Sequence, residues 1–292
     1  MGRVATVLAA GLLVLVAAAC GERSEPTGPN TVLYPVTVPS ASGGKALVVR
    51  TPAKRIAVIA PSVKQILDDL GAGKAVAGIP LAQDNTVRIG RLRALRPDLI
   101  VASSTTDDET VAQAARMVRG VPVYQAPDDS IRGVEETITD LGVITAHQGK
   151  ARRLVREIEA KREVVRSHLA RAKTVTAFLT TAFFKTLATF QTVPDQSLPG
   201  DLLREAGGRN VAGNSTELTA LQLLHLDPRW IIATSDSNTT LAKLLESKVA
   251  KKLAAVRAKH FTTVDARLLE PGPRIGQGLL ELAKRLHPDA FR

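Results

Sequence analysis

One cysteine, Cys20, stands among 292 residues. No internal disulfide can form, and an exported thiol without a partner is a liability unless it is put to use. Aromatic residues make up 3% of the chain, which limits any ligand site that depends on ring stacking. The uncharged apolar run from Val4 to Ala19 is shorter than the about 20 residues a membrane-spanning helix needs. The patterns G-x-S-x-G, H-E-x-x-H, G-x-x-x-x-G-K-[ST] and G-x-G-x-x-G are all missing. An extracytoplasmic enzyme therefore has no motif behind it, and no catalytic residue is assigned. None of the five histidines (His147, His168, His225, His260 and His287) pairs with another at ligand spacing, so surface or capping roles are expected for them and no metal site or cofactor is assigned.

What the amino terminus does hold is Arg3, the apolar run, and then Ala17, Ala18 and Ala19 before Cys20. Residues 1–19 read as a secretory signal. Small residues give a signal peptidase a narrow extended substrate, and the Cys20 thiol is then available for acylation. An ordinary signal peptide or an uncleaved anchor would explain the apolar run but not the cysteine. The expected location is extracytoplasmic, lipid-anchored to the cytoplasmic membrane. Residues 20–47, rich in Pro, Ser, Thr and Gly without periodicity, read as a flexible tether.

The formal charge of +11 is unevenly placed. Between Ala53 and Lys150 there are 12 basic and 12 acidic residues, whereas Ala151 to Lys173 carries 8 against 3. No zinc-finger or RNP-like motif accompanies the excess, so an anionic surface, lipid or solute is a better partner than nucleic acid.

Beyond the tether, short apolar runs alternate with amphipathic stretches. Strands are expected at Arg55–Ala60, Ala75–Ile79, Leu99–Ala102 and Val121–Tyr124, and helices at Pro61–Leu70, Asp107–Val118 and Ser130–Leu141. Ser62 with Gln65 reads as a capping box, and Gly71 as a helix stop. Asp107, Asp108 and Glu109 complement a helix dipole. From about Ala146 to Ala172 there is no strand candidate and no proline, and Leu154, Ile158, Val165 and Leu169 form an apolar stripe, so one long helix is expected. Alternation then resumes with strands at Val175–Thr180, Leu187–Phe190, Trp230–Ala233 and Phe261–Val264. Helices are expected at Leu198–Ala206, at Thr219–Leu224 with a Thr219/Gln222 capping box, and at Gly276–Leu286. The fold class is α/β: two Rossmann-like lobes with mainly parallel sheets (48–145 and 174–292) joined by one long rigid helix (146–173).

Open parallel sheets bind ligands at the carboxyl ends of their strands. On the first lobe the loops there supply Pro61, Ser62, Pro80, Gln83, Ser103, Ser104, Thr105 and Asp128. On the second they supply Phe183, Phe184, Gln191, Thr192, Ser235, Arg267 and Arg274. Arg274 ends the stiff segment Glu270-Pro271-Gly272-Pro273, where a guanidinium can meet a carboxylate, a phosphate or a metal complex. Equally, it can tie its loop to the last helix.

Five stretches carry a family resemblance: Arg55–Gly78, Leu92–Ser103, Asp201–Val211, Leu218–Ala233 and Pro271–Ala283. In that order, on both sides of the long helix, the chain resembles the solute-binding proteins with a rigid inter-lobe helix that serve ABC importers of ferric siderophores, cobalamin and haem. The resemblance implies a monomer that clamps a small metal chelate between its lobes and delivers it to an ABC permease. In importing members a Glu on each lobe docks on permease arginines. Gln65 and Leu221 hold those positions here, with Asp69 and Glu217 as the nearest carboxylates. Cobalamin receptors similar to this chain set aromatics against the corrin, and a haem site would want Tyr or His, for which Tyr124 is the one candidate. An Arg- and hydroxyl-lined cleft suits an anionic ferric siderophore better. An envelope interaction protein that keeps the fold without docking on a permease is the competing reading.

Overall fold

A computed structural model describes residues 34–39, 46–84 and 86–292. The signal segment, Cys20 and the first part of the expected tether lie outside the described residues. Within the remainder of that tether, β1 (Val36–Val38) pairs antiparallel with β2 (Leu47–Val49). Val38, Leu47 and Val49 are buried in the main core, and the Tyr34 hydroxyl donates to the Val143 carbonyl at 2.6 Å. The expected tether is thus corrected at residues 34–39 and 46–47, while 40–45, like 20–33, lie outside the described residues. Alternating valines with one apolar face outweigh the surrounding Pro and Ser once that face has a core to meet.

The first lobe follows as β3 (Ile56–Val58), α1 (Pro61–Leu70), β4 (Val76–Gly78), α2 (Ile89–Ala94), β5 (Leu99–Ser103), α3 (Asp108–Met117), β6 (Val123–Ala126) and α4 (Ile131–Ile144). Its four strands lie in the order β4-β3-β5-β6, all parallel. One face packs Ile56, Val58 and Val101 into the main core and the other sets Ala57, Ile59 and Ile100 against Leu92 and Ala114. Burial on both faces is what nearly continuous apolar runs require. α1 buries Val63, Ile66, Leu67 and Leu70 and ends at Gly71, whose φ of 84° is left-handed. The expected Ser62/Gln65 capping box does not form. Pro61 has its φ fixed for the first helical position, so the helix is capped two residues earlier, at Ala60, which makes no side-chain bond.

α5 (Gln148–Leu169) follows, 22 residues and roughly 33 Å at 1.5 Å each. The second lobe comprises β7 (Val175–Phe184), β8 (Thr189–Thr192), α6 (Leu198–Glu205), β9 (Gly208–Asn210), β10 (Glu217–Thr219), α7 (Ala220–Leu226), β11 (Trp230–Thr234), α8 (Leu241–Glu246), α9 (Ala254–Arg257), β12 (Phe261–Val264) and α10 (Ile275–Leu286). β7 runs parallel to β11 and, through Val175–Ala177, to β9, while its outer half pairs antiparallel with β8 and so leaves the parallel sheet as a hairpin. The Thr219/Gln222 capping box forms at the start of α7.

One apolar cluster runs without a break from Ile66 and Leu67 of α1 through Leu141 of α4 and Leu154 and Ile158 of α5 to Leu202 of α6 and Leu279 of α10. Polar contacts cross at the same place. The Ile131 amide at the start of α4 donates to Asp201 Oδ2 of α6 at 2.9 Å. Arg162 of α5 meets Glu205 of α6 with two bonds (2.7 and 3.0 Å), Glu159 at 2.7 Å and Glu135 of α4 at 3.2 Å. The lobes are therefore joined by three helices and not by the long helix alone.

Candidate functional site

The carboxyl ends of β3 and β5 run directly into Ile59–Ser62 and Ser103–Asp107. Together with the loop before α10 they enclose a cleft of about 660 Å³. Its walls are Pro61, Ser62 and Gln65 of α1, Leu81, the run Ser103, Thr105, Thr106 and Asp107, Thr110 of α3, and Glu270 from the second lobe. Because Pro61 moves the helix start forward, the Ser62 hydroxyl caps nothing and is left facing the cleft.

Opposite α1, Arg274 Nη2 donates to Gln65 Oε1 at 3.2 Å, and a Cβ on Gly272 would lie 3.7 Å from the Gln65 side chain. The loop Glu270–Arg274 therefore leans across the cleft onto the first lobe. Gln65 also donates to Asp69 Oδ2 at 3.4 Å, one turn along.

The hydroxyl side of the cleft is held from below by Asp128, which is buried. Its Oδ1 accepts from Ser103 Oγ (2.6 Å), the Ser104 amide (3.0 Å) and Ser104 Oγ (2.9 Å), whereas Oδ2 is buried with no partner among the described residues. Ser103 Oγ also lies 2.9 Å from Thr105 Oγ1. The loop is thus a fixed array of hydroxyls on a carboxylate anchor. Asp107 caps α3 by accepting from the Thr110 amide at 2.8 Å, and the Thr110 bonds hold its carboxyl below the usual range. It stays an anion at the cleft wall.

Pro61, Ser62, Ser103 and Thr105 come together in this cleft, with Gln65 beside them. Ser104 and Asp128 support it from behind. Pro80 is buried, its carbonyl accepting from the Arg88 amide at 2.7 Å, and Gln83 is exposed in the following turn. Phe183 turns into the second-lobe core and stacks on Phe190 at 4.5 Å, while Thr192 donates to the Leu179 carbonyl at 2.6 Å. Neither offers its side chain to a ligand. Phe184 and Gln191 are exposed on the hairpin, Ser235 accepts from the Ala266 amide at 3.1 Å to join the ends of β11 and β12, and Arg267 is ion-paired with Asp265 at 2.7 Å. Tyr124 is fully buried and its hydroxyl donates to Asp140 at 2.9 Å, which takes it away from any axial-ligand role. Leu81, Thr106, Asp107, Thr110 and Glu270 line the cleft without having been singled out from the sequence. The signal for Asp107 was present, since a cap at a strand-to-helix junction is also a cleft position. Leu221 is 61% exposed at the start of α7 and Glu217 is exposed on β10.

Two α/β lobes on a spanning helix, with a polar cleft at their strand ends, define a bilobed solute-binding protein. Residues 60–268 match the family described as periplasmic binding protein, and the chain belongs to it. It is similar, at 25% identity over 96% of both chains, to YvrC of Bacillus subtilis (strain 168), named as an ABC transporter substrate-binding lipoprotein. At the same identity, over 98% of this chain and 85% of the relative, it is similar to a cobalamin-binding protein of Halobacterium salinarum. Among solved structures, the nickel-bound CeuE of Helicobacter pylori shares the fold with a TM-score of 0.71, 18% identity, and coverage of 88% of this chain and 90% of the other.

Proposed function

We propose that this chain is an extracytoplasmic receptor of an ABC importer, lipid-anchored through Cys20, that takes a metal chelate, a ferric siderophore first, into its inter-lobe cleft. The observation that carries the ligand class is the polar lining: hydroxyls of Ser62, Ser103 and Thr105 with the Asp107 and Glu270 carboxylates, and Arg274 of the second lobe bonded to Gln65 at the rim. Such a wall makes many directional bonds to a polar chelate, with Arg274 at the rim as the group for its negative charge, and few to a flat apolar ring. Cobalamin is the second reading, favoured by the name of the Halobacterium relative. The carboxylates nearest the expected docking positions, Asp69 and Glu217, are the surface on which a permease would be sought.

Titration of the purified protein by calorimetry with ferric siderophores, cobalamins and haem tests the reading. Saturable binding of an anionic ferric chelate is expected, weakened about tenfold in Arg274→Gln by loss of a charge-assisted bond. Saturation by cobalamin alone establishes the second reading, and saturation by none of the three sinks both.

A further inference from the structure

At the end of the second lobe away from the cleft, the entrances of its parallel strands form a second cavity of about 710 Å³. Lys173 precedes β7, Arg229 precedes β11 and His260 precedes β12, and all three line it together with Arg171 at the end of the long helix. The three entrances are adjacent: the Arg229 amide donates to the Thr176 carbonyl at 3.0 Å and the Ile231 amide to the His260 carbonyl at 3.0 Å. Arg229 stands opposite Thr176 of β7, three residues inside Lys173, so the two cations are set on adjacent chains at different depths of this entrance.

Further up the long helix, Arg162 meets three carboxylates and Arg166 meets Glu163. Arg171, Lys173 and Arg229 are exposed and have no ion pair among the described residues, and the carboxylate on this rim, Asp289, is already paired with Arg292 at 3.0 Å. Two ring stacks flank the cations, Trp230 on His260 at 4.9 Å and His168 on Phe291 at 4.5 Å. An open group of unpaired cations bordered by the half-buried rings of Trp230, His260 and Phe291 has the chemistry that meets anionic headgroups at a bilayer surface.

We propose that this strand-entrance face of the second lobe docks on anionic phospholipid, its Lys173, Arg229 and Arg171 side chains lying against headgroup phosphates. The proposal rests on the extracytoplasmic reading above for bringing the chain to a membrane.

The test uses the full-length chain and flotation with vesicles of phosphatidylcholine alone or of equimolar phosphatidylcholine and phosphatidylglycerol. The amino-terminal segment contributes to both, so the readout is the ratio of the two partition constants. A ratio well above one that falls with added salt is expected, dropping about thirtyfold in K173Q/R229Q as two surface cations are removed. The K251Q/K252Q variant, with the same net charge but altered elsewhere, should keep the wild-type ratio. A wild-type ratio of one, an equal loss in K251Q/K252Q, or release of the protein by inorganic phosphate at matched ionic strength would overturn the proposal, the last by assigning the face to a free anion. Solute titration of K173Q/R229Q separates the two sites: unchanged solute binding beside a lost vesicle preference confines the defect to this face.

Discussion

Arg162 is only 16% exposed, yet it carries a full charge through the junction of α4, α5 and α6. Its planar fork suits this task, since one edge makes two parallel bonds to Glu205 while the remaining amine serves Glu159 and Glu135. Burial of such a cluster adds little net stability by itself, but removing one member strands the others. Arg162→Met is therefore expected to destabilise the protein by about 3 kcal/mol, because Glu135 loses its one cationic partner among the described residues. Urea denaturation followed by circular dichroism measures this. A loss below about 1 kcal/mol, the range of a surface ion pair, would show that water already compensates the cluster.

At the scale of elements, α4 is the helix with unusual electrostatics. Burial pushes Glu135 up to about 7, against the pull of Arg162, and Asp140 up to about 6, against the hydrogen bond from Tyr124. Both carboxyls bind a proton more readily in the folded chain than in the unfolded one. Stability contributed by them is thus present in full below about pH 4 and is lost as pH rises through about 4 to 7. Asp140→Asn should flatten the part of that decline between about pH 4 and 6, which urea midpoints across the range will report. A decline unchanged in Asp140→Asn would place the titration elsewhere.

The long helix and the main strands were legible because their apolar spacing is strong and their length leaves one reading. β9, β10, α2, α8 and α9 were not, since three to six residues hold less than two periods and so cannot show a repeat. The two capping boxes show the limit of local rules. Thr219 and Gln222 had no competitor, whereas Pro61 displaced Ser62 from the cap. In the site, Ser62, Ser103 and Thr105 followed from strand ends, which topology fixes. The inward turn of Phe183 and Thr192 did not, because it depends on which face of the β7–β8 hairpin meets the second apolar cluster. The Gln65–Arg274 contact spans 209 residues and lies beyond any local pattern.

For the whole molecule, a single apolar cluster shared by both lobes predicts a single unfolding event. Trp230, in the second lobe, and the two tyrosines, Tyr34 and Tyr124, which pack with the first, should report coincident urea transitions. Separate midpoints would mean that the lobes fold independently and that the junction is a docking contact.

The three-helix junction also bears on how a full receptor would be told from an empty one. With α4, α5 and α6 bonded to one another, a large rotation of one lobe against the other would have to break Ile131–Asp201 and Arg162–Glu205 together. Little conformational work then separates the two states, and little of the ligand's intrinsic affinity is spent on closing the cleft. The same stiffness leaves few shape differences to be read from outside. Occupancy is best signalled at the cleft mouth itself, where a solute that takes Arg274 away from Gln65 alters the outline of the rim.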